Sequence, residues 1–397
     1  MNIPKLRFKE FTDEWVYYKY KDIFNLNQGL QIPITERFLD YAPNRFFYIT
    51  NEFLKPSSKK SYYIENPSPN VICTKEDILM TRTGNTGKVI TNIAGVFHNN
   101  FFRIKYNPKN FNKDFICCIL NQNKIQNKIL TLAGSSTIPD LNHKDFYSIK
   151  SRFPKLKEQE KIAKFINTVD KKIENIENTI SSLENQKKGL LQQIFSQKLR
   201  FKDENGNNYP NWEKKKLGDI CKFTGGGTPS TSILKYWNGT IPWISSSDLQ
   251  TNTIHKIKIS RYITNEAVSN SSTKIIPKNS ILIVSRVGVG KVAISNCVLC
   301  TSQDFTNITE INGNTTFYAY LLKYKMEQLT QNTQGTSIKG ITTSDIKNIK
   351  LIVPIEQTEQ TKIADFLSAF DRKLDNQKAQ LEHWQQIKKG LLQQMFV

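Results

Sequence analysis

The sequence predicts two mixed α/β (α+β) domains in tandem, joined by two long helices that form an antiparallel coiled coil. Three observations lead to this fold class: the chain is duplicated, the first part of each copy mixes short β-like runs with turn residues, and each copy ends in a heptad pattern. With 397 residues, the chain is longer than one hydrophobic core usually holds, so at least two domains are expected.

The duplication is visible in four pairs of segments. They are KKGLLQQIF (187–195) with KKGLLQQMF (388–396), EQEKIAKFINTVDKKIE (158–174) with EQTKIADFLSAFDRKLD (359–375), KLRFK at 5–9 and again at 198–202, and RTGNTGKV (82–89) with RVGVGKV (286–292). The first two pairs share an offset of 201 residues. A unit of about 200 residues is too long for a solenoid repeat and suits one domain plus a connector.

Domain boundaries follow from the repeat. We expect a first globular domain over residues 1–155, a first helix over 156–197, a second globular domain over 198–356 and a second helix over 357–397. The globular parts contain β-like runs such as VFHNNFFRI and SILIVSRV, separated by Gly, Pro, Asn and Ser. Two similar domains and two similar helices predict a pseudo-twofold arrangement.

The helical parts carry a regular apolar seam. Seam positions recur in alternating steps of four and three residues from Ile162 to Ile194 and from Ile363 to Met395, which is typical of a coiled coil. An amphipathic helix lying on a globular core is the alternative, but it does not need so regular a seam. At ~1.5 Å per residue, each helix would be roughly 60 Å long.

Two lysines in the seam predict the direction of pairing. Lys187 and Lys388 occupy equivalent seam positions, so parallel pairing in register would bury two like charges together. Antiparallel pairing instead places Lys187 near Asp371 and Lys388 near Asp170. We therefore expect an antiparallel pair in which each lysine meets a carboxylate.

Further apolar residues of the helices lie off the seam and recur in both copies. They are Phe165 and Phe366, Leu191 and Leu392, and Phe195 and Phe396. Apolar positions beyond a two-helix seam predict a third surface that packs there. This surface belongs either to the protein's own domains or to a separate subunit.

The charge of the chain predicts a nucleic-acid partner. The formal net charge is +21, and both halves are basic, with 32 basic and 19 acidic residues in 1–200 and 24 and 16 in 201–397. Such a field favours polyanions, although charge can also serve solubility alone. No stretch approaches the ~20 apolar residues of a membrane helix, and MNIPKLRFKEF has no apolar signal core, so we expect no membrane association and a cytoplasmic protein.

Two glycine-rich loops are the first candidates for DNA contact. RTGNTGKV and SRVGVGKVA lack the spacing and the Ser or Thr of a nucleotide-binding loop. We interpret them as tight turns between strands that project Arg82 and Lys88 in the first copy and Arg286 and Lys291 in the second. Such side chains suit phosphates or the edge of guanine, while a purely structural turn is the alternative.

Other polar residues at matched positions complete the predicted DNA-binding set. They are Tyr48, Thr50 and Asn51 with Trp243, Ser245 and Ser246; Asn99 with Gln303; and Ser136 with Ser337 and Lys339. Amide and hydroxyl groups can contact bases or phosphates. The alternatives are core packing for the aromatic residues and bonds to the local backbone for the amides.

Motifs of catalysis and metal binding are not found in the sequence. There is no [DN]PP[YFW] tetrapeptide of amino-methyltransferases and no glycine-rich cofactor fingerprint after a strand. With four histidines and six cysteines, of which Cys297 and Cys300 form a single CxxC, we expect buried thiols and no metal site.

The residues resemble a known family. The runs GTSIKGITTSDIKNIKLIVPIEQTEQTKIADFLSAFDRKLD (335–375) and GGGTPSTSILKYWNGTIPWISSSDL (225–249) are similar to the specificity subunit of type I restriction-modification systems, and the resemblance covers essentially the whole chain. The first copy departs more, since NQGLQIPITERFLDYAP (27–43) lacks the GxTPS-like opening.

The resemblance implies a non-catalytic subunit with two target-recognition domains, each reading half of an asymmetric bipartite site in double-stranded DNA. It implies that the helices set the spacing and dock two modification subunits, which methylate adenine, and that restriction (translocase) subunits join them. The six off-seam apolar residues are the expected contacts of the modification subunits. S-adenosylmethionine, ATP and magnesium would belong to the partners, with no cofactor in this chain. A self-sufficient methyltransferase or nuclease, and a coiled-coil scaffold without a DNA role, are the competing hypotheses.

Overall fold

The structure is a computed structural model that describes residues 3–55, 60–134, 138–331 and 340–397. The chain divides into two compact units. Unit 1 comprises Met1–Glu177 and Gln380–Val397, and unit 2 comprises Asn178–Ala379. Each unit therefore contains one globular domain, the first part of one long helix and the last part of the other.

Unit 1 alternates short strands with helices. In chain order these elements are β1 (Val16–Lys19), α1 (Tyr20–Ile23), β2 (Phe24–Gln28), β3 (Arg45–Ile49), β4 (Tyr63–Glu65), β5 (Ile72–Cys73), β6 (Ile78–Thr81), β7 (Val89–Ile90), β8 (Gly95–Phe97), β9 (Phe101–Tyr106), α2 (Lys113–Leu120), α3 (Asn123–Ala133), α4 (His143–Ser148), β10 (Lys150–Phe153) and the long helix α5 (Leu156–Phe195), which continues into unit 2. Among the described residues, short 3-10 turns add Ile34–Glu36 and Pro69–Val71.

Unit 2 repeats the order of the strands but differs in its short helices. Its elements are β11 (Glu213–Lys216), α6 (Leu217–Ile220), β12 (Cys221–Gly225), β13 (Ile241–Ile244), β14 (Arg261–Ile263), α7 (Asn265–Ser269), β15 (Ile275–Ile276), β16 (Ile281–Val284), β17 (Val292–Ile294), β18 (Leu299–Thr301), β19 (Phe305–Ile311), α8 (Thr315–Gln331), α9 (Thr343–Lys347), β20 (Lys350–Val353) and the long helix α10 (Gln357–Gln394), which continues into unit 1. Leu234–Trp237 and Ser246–Asp248 form 3-10 turns.

The strands of the described residues form the same three sheets in both units. In unit 1 the orders are β1-β10, β2-β9-β6-β7 and β4-β3-β8-β5; in unit 2 they are β11-β20, β12-β19-β16-β17 and β14-β13-β18-β15. Most pairs are antiparallel, but β3 with β8 and β13 with β18 are parallel. The mixed α/β fold predicted for each copy is confirmed.

Continuous apolar runs place β6 and β16 at the centre of each domain. All residues of ILMT (78–81) and ILIV (281–284) are buried, as expected for strands covered on both faces. Helices then close one side of the core. Asn112 Oδ1 accepts a hydrogen bond from Phe115 N at 3.0 Å and begins α2, and Asn314 Oδ1 does the same for Phe317 N at 3.0 Å and α8.

The long helices pack antiparallel within each unit, as predicted. In unit 1, Lys388 Nζ lies 2.6 Å from Asp170 Oδ1, while Ile162 and Ile166, earlier on α5, share a core with Met395, later on α10. In unit 2, Lys187 forms an ion pair with Asp371, and Leu191 and Ile194 share a core with Ile363 and Leu367. The carboxylates predicted for both lysines are confirmed.

The repeated EQ at the start of each helix anchors its globular domain. In unit 1, Arg7 Nε donates to Glu158 Oε1 at 2.8 Å and Trp15 Nε1 donates to the same oxygen at 3.3 Å. In unit 2, Glu359 Oε1 accepts from Arg200 Nε at 2.8 Å and from Trp212 Nε1 at 3.1 Å. The arginines belong to the repeated KLRFK segments, so both repeats serve one contact.

The glutamines that follow hold the next element in place. Gln159 Oε1 accepts from Asn112 N at 2.9 Å, and Gln360 Oε1 accepts from Asn314 N at 2.9 Å. Each glutamine amide also donates to the proline carbonyl just before its helix, Pro154 at 2.9 Å and Pro354 at 3.0 Å. One residue thus connects the end of the globular domain, the long helix and the cap of α2 or α8.

The off-seam apolar residues pack against the chain's own domains. Leu191 and Phe396 are buried, and Leu392 and Phe195 are partly buried against the same cores. Phe165 and Phe366 meet Phe8 and Phe201 of the KLRFK segments, with ring centroids 5.9 and 5.4 Å apart. Of the two alternatives left by the sequence, the structure shows the internal surface. Phe165 alone stays well exposed, at 39 %.

Candidate nucleic-acid interface

A cleft of about 1060 Å³ in unit 2 brings together polar loops that are far apart in sequence. The turn after β16 contributes Arg286 and Lys291 to its lining. Gln303, just before β19, and Thr342 and Thr343, at the start of α9, line it as well. The sequence singled out these loops separately. The fold makes them the walls of one site.

The glycine-rich loops are tight turns between strands, as predicted. In unit 2, Val284 N donates to Lys291 O at 2.9 Å and Gly290 N donates to Val284 O at 3.2 Å. In unit 1, Thr81 N and Gly87 N make the matching bonds to Lys88 O and Thr81 O, at 3.0 and 2.8 Å. Gly87 and Gly290 have φ of +91° and +100°, which glycine adopts most readily.

These bonds correct the alignment of the two arginines. Leu141 N donates to Arg82 O at 2.9 Å, whereas Ile341 N donates to Ser285 O at 2.7 Å. Arg82 therefore corresponds to Ser285, and Arg286 corresponds to Thr83. The two loops have equal length when counted from β6 and β16, so matching the two arginines by sequence shifts the register by one residue.

The two arginines also differ in their electrostatic surroundings. Arg82 Nη2 and Nε donate to the two carboxylate oxygens of Asp140, at 2.6 and 3.1 Å. Burial by itself raises the pKa of Asp140, but the bonds from Arg82 and Thr83 outweigh it and hold that pKa below its ordinary value. Arg286 is exposed and has no ion pair with any residue that the structure describes. Its charge is available to a ligand in the cleft.

The lysines at the ends of the two glycine-rich loops differ in exposure. Lys88 is exposed in unit 1. Lys291 is half-buried, and its Nζ donates to Ser246 O at 2.8 Å, which ties the glycine-rich turn to the segment after β13. Ser246 thus enters the site through its backbone.

The matched aromatic residues support the site from within the core. Tyr48 and Trp243 are buried. Tyr48 Oη donates to Leu30 O at 2.6 Å, and Trp243 Nε1 donates to Gly227 O at 2.9 Å, so each fixes the loop that precedes the site in the chain. Both aromatic residues pack in the core, which was the alternative to DNA contact given for them, and neither ring reaches the surface.

The hydroxyl and amide residues next to them also make internal bonds. Thr50 is buried, and Ser245 Oγ accepts from Arg261 Nη2 at 2.7 Å. Asn51 Nδ2 donates to Thr83 O at 2.9 Å and so holds the glycine-rich turn of unit 1. Asn51 and Ser245 thus position the loops.

Asn99 and Gln303 occupy equivalent turns, and each forms a hydrogen bond with a side chain of an earlier loop. Asn99 Nδ2 donates to Gln31 Oε1 at 2.8 Å, and Gln303 Oε1 accepts from Thr228 Oγ1. Gln303 is exposed, and its amide nitrogen has no hydrogen bond to a residue that the structure describes. The alternative for these amides was a bond to the local backbone, but both bond the side chain of another residue instead.

The remaining predicted residues lie outside the described part of the chain. These are Ser136, Ser337 and Lys339.

Sequence reasoning missed several residues of the site. Thr342, Thr343 and Gly226 line the unit 2 cleft, and in unit 1 Thr83 donates to Asp140 beside the glycine-rich turn. The signal for Asp140 was present in the repeated loop GSSTIPDL, where Asp140 precedes the matched Leu141. A Cβ on Gly226 would lie 2.0 Å from Ser302 O, so the GGG run allows a close approach of two backbones.

Within the described ranges, no group of three or more His, Cys, Asp or Glu side chains is arranged to hold a metal ion. Among the same residues, no helix combines the length and apolarity needed to cross a membrane.

Comparison with known proteins assigns the chain to a family. The sequence model described as "Type I restriction modification DNA specificity domain" matches twice, at residues 12–185 and 209–383. The chain belongs to the type I restriction-modification DNA specificity family. The predicted relationship is confirmed over both copies.

Several named relatives agree with this assignment. The MjaIX specificity subunit of Methanocaldococcus jannaschii is 36 % identical over 208 residues, which are 51 % of this chain and 48 % of the relative. The EcoR124I/EcoR124II specificity subunit of Escherichia coli is 33 % identical over 167 residues, 40 % of this chain and 41 % of the relative. The chain thus matches less than half the length of these two relatives. The MjaVIII specificity subunit, at 22 % identity over 415 residues, matches over 98 % of this chain and 94 % of its own.

Solved structures share the fold. The S subunit of a type I restriction-modification system from M. genitalium superposes with a TM-score of 0.64 at 17 % identity, covering 100 % of this chain and 99 % of the other. A chain from a structure described as the basis of "complex assembly and conformational transition of the type I R-M system" has a TM-score of 0.55 at 16 % identity, covering 95 % and 96 %.

Proposed function

We propose that this chain is a DNA sequence-specificity subunit whose two globular domains each read one half of a bipartite site. Support comes from the unit 2 cleft, where an exposed guanidinium (Arg286), an exposed amide (Gln303) and two threonines converge. These donors and acceptors can contact base edges in the major groove.

The two half-sites are expected to differ. In unit 1, Arg82 is neutralised by Asp140 and Thr83 takes the place of Arg286. In unit 2, the corresponding positions are Ser285, Arg286 and Gly340. A donor-rich cleft and a neutralised one recognise different bases, so the target is asymmetric.

The subunit acts without catalysing a reaction in this proposal. Two modification (adenine methyltransferase) subunits and restriction (translocase) subunits would be its partners, and S-adenosylmethionine, ATP and magnesium would bind to them. The long helices would set the distance between half-sites, and Phe165, which stays exposed, is the off-seam residue best placed to contact a modification subunit. We expect the complex to work in the cytoplasm.

Adenine-methylation sequencing tests the proposal. A host that lacks related systems would co-express this chain with a cognate modification subunit, beside a control without this chain. A new split motif that depends on the chain is the expected result and would reveal both half-sites. Random methylation, or none despite a well-formed complex, would contradict it.

The competing enzyme hypothesis has its own test. The purified chain alone would be incubated with DNA and labelled S-adenosylmethionine. Methyl transfer would favour a self-sufficient methyltransferase, whereas the proposal expects none. A coiled-coil scaffold would instead bind DNA without any sequence preference.

A further inference from the structure

A groove in unit 1 has no assigned role in DNA reading. It lies between α2, the first turns of α5 and the residues after β7, and has a volume of about 1000 Å³. We call it the open groove and define it by Thr91, Cys118, Asn121, Asp170, Glu174 and Leu392, which are among its lining residues. Its counterpart in unit 2 indicates what it binds.

The duplication allows the two grooves to be compared residue by residue. The caps Asn112 and Asn314 align α2 with α8, so Cys118 corresponds to Tyr320 and Asn121 to Lys323. The turn bonds align Thr91 with Ile294. The helix repeat aligns Asp170 with Asp371 and Glu174 with Asp375.

In unit 2 the groove is covered by the loop of residues 250–257. Ile254 is fully buried, and Ile294 N donates to Ile254 O at 2.8 Å. Lys323 Nζ donates to Thr251 O.

Two side chains of the same loop complete the cover. His255 Nε2 lies 3.0 Å from Tyr320 Oη, and Lys256 Nζ lies 2.7 Å from Asp375 Oδ1. Four residues that the loop contacts, namely Ile294, Tyr320, Lys323 and Asp375, therefore correspond to residues that line the open groove.

The ion pairs between the long helices differ in solvent exposure, as expected if the loop shields only the pair in unit 2. The Lys187 and Asp371 side chains in unit 2 are 8 % and 5 % exposed, whereas the equivalent Lys388 and Asp170 in unit 1 are 34 % and 42 % exposed. The same pair on the same helices is shielded in one unit and reaches solvent in the other.

Unit 1 has a shorter connection at the corresponding place in the chain. Residues 245–260 join β13 to β14, whereas residues 50–62, three fewer, join β3 to β4. In addition, Cys118 is smaller than Tyr320, and Glu174 has no ion pair with any residue in the described ranges. A free carboxylate therefore stands where Asp375 holds Lys256.

We propose that the open groove binds an extended segment of a partner protein in which an aliphatic residue is followed, two positions later, by a basic residue. The aliphatic side chain would take the place of Ile254, and the basic side chain would pair with Glu174 as Lys256 pairs with Asp375. The pairing of an apolar anchor with one charge contact gives both affinity and register. The open groove makes unit 1 and unit 2 unequal as docking surfaces.

A labelled peptide tests this directly. The peptide LQTNTIHKIK, residues 249–258 of this chain, would be titrated with the full-length protein and followed by fluorescence anisotropy. We expect one saturable site per chain, at least fivefold weaker binding to Glu174→Lys, and unchanged binding to Glu177→Lys, a carboxylate one turn further along α5 that is outside the groove lining. A peptide carrying Lys256→Glu should bind the wild type weakly and regain affinity for Glu174→Lys.

Three outcomes would overturn the proposal. They are no saturable binding up to millimolar protein, binding that Glu174→Lys leaves unchanged, and binding that appears only after residues 55–61 are replaced by a Gly-Ser linker. The last result would assign the groove to the chain's own connection. Since no DNA is present, the result is independent of the proposed function.

Discussion

At the scale of single residues, two arginines that look alike in sequence have different surroundings. Arg286 faces the unit 2 cleft and has no ion pair with a residue of the described ranges, whereas Arg82 donates to both carboxylate oxygens of Asp140. A free guanidinium can make a bidentate contact to guanine, whereas a paired one must first exchange partners. The structure therefore separates a candidate reading residue from a candidate positioning residue.

Replacing Arg286 by Ala is expected to relax one half-site only. If the contact is a bidentate guanine pair, the loss is about 1–3 kcal/mol for the preferred base at that position. Binding to DNA libraries that are randomised in one half-site at a time measures it. Equal weakening on all DNA would show a phosphate contact instead.

Arg82 and Asp140 should behave as one group. We expect Arg82→Ala and Asp140→Ala each to alter recognition of the other half-site, and the double variant to cost clearly less than the sum of the two. The same randomised libraries provide the measurement. Additive losses would mean that Arg82 contacts DNA independently of Asp140.

Lys323 makes the stability of unit 2 depend on pH. Burial lowers the pKa of Lys323 to about 8, while the ordinary pKa of lysine is 10.5. Between these values the unfolded chain binds the proton more tightly than the folded chain, so unfolding free energy should rise with pH, by at most about 1.4 kcal/mol per pH unit.

Chemical denaturation between pH 7.5 and 9.5 tests this, with Lys323→Met as the reference. The wild type should gain stability relative to the variant as pH rises through 8. Parallel pH profiles for the two proteins would contradict the lowered pKa.

At the scale of elements, the two long helices carry matched ion pairs in unequal environments. The Lys187–Asp371 pair is buried, and Tyr320 Oη also donates to Asp371 Oδ2 at 2.7 Å. The Lys388–Asp170 pair is partly exposed. Removing one partner of a buried pair leaves an uncompensated charge, whereas an exposed pair contributes little.

Lys187→Ala should therefore destabilise the protein far more than Lys388→Ala. We expect a loss of about 3–5 kcal/mol for the first and below about 1 kcal/mol for the second. Hydrogen exchange of α8 and of α2 reports each unit separately. Equal effects would mean that the cover by residues 250–257 does not shield the unit 2 pair.

At the scale of the whole molecule, the proposed function makes the helices set the spacing of the half-sites. Insertion of one heptad between Glu177 and Asn178, and another between Ala379 and Gln380, uses the positions where the chain divides into its units. Seven residues keep the seam in phase and add ~10 Å of helix. At ~3.4 Å per base pair, the gap should grow by about three base pairs while the bases stay the same.

Methylation sequencing with the lengthened chain measures the gap. The wild-type chain and a variant with seven residues substituted to other helix formers on the exposed helix face are the controls. An unchanged gap would contradict the role of the helices in spacing.

The sequence by itself determined the duplicated α/β architecture, the helices and the direction in which they pair. Periodicity, repeat offsets and the positions of the two seam lysines can be read directly from the sequence, and antiparallel pairing alone gives each lysine a carboxylate. The tertiary structure alone decided which of the candidate residues are buried, which are paired and which are exposed. Tyr48 and Trp243 turned out to be core residues, Arg82 is neutralised by Asp140, and Arg286 aligns with Thr83. These outcomes depend on packing between loops that are distant in sequence, and on one residue of register that only backbone hydrogen bonds reveal.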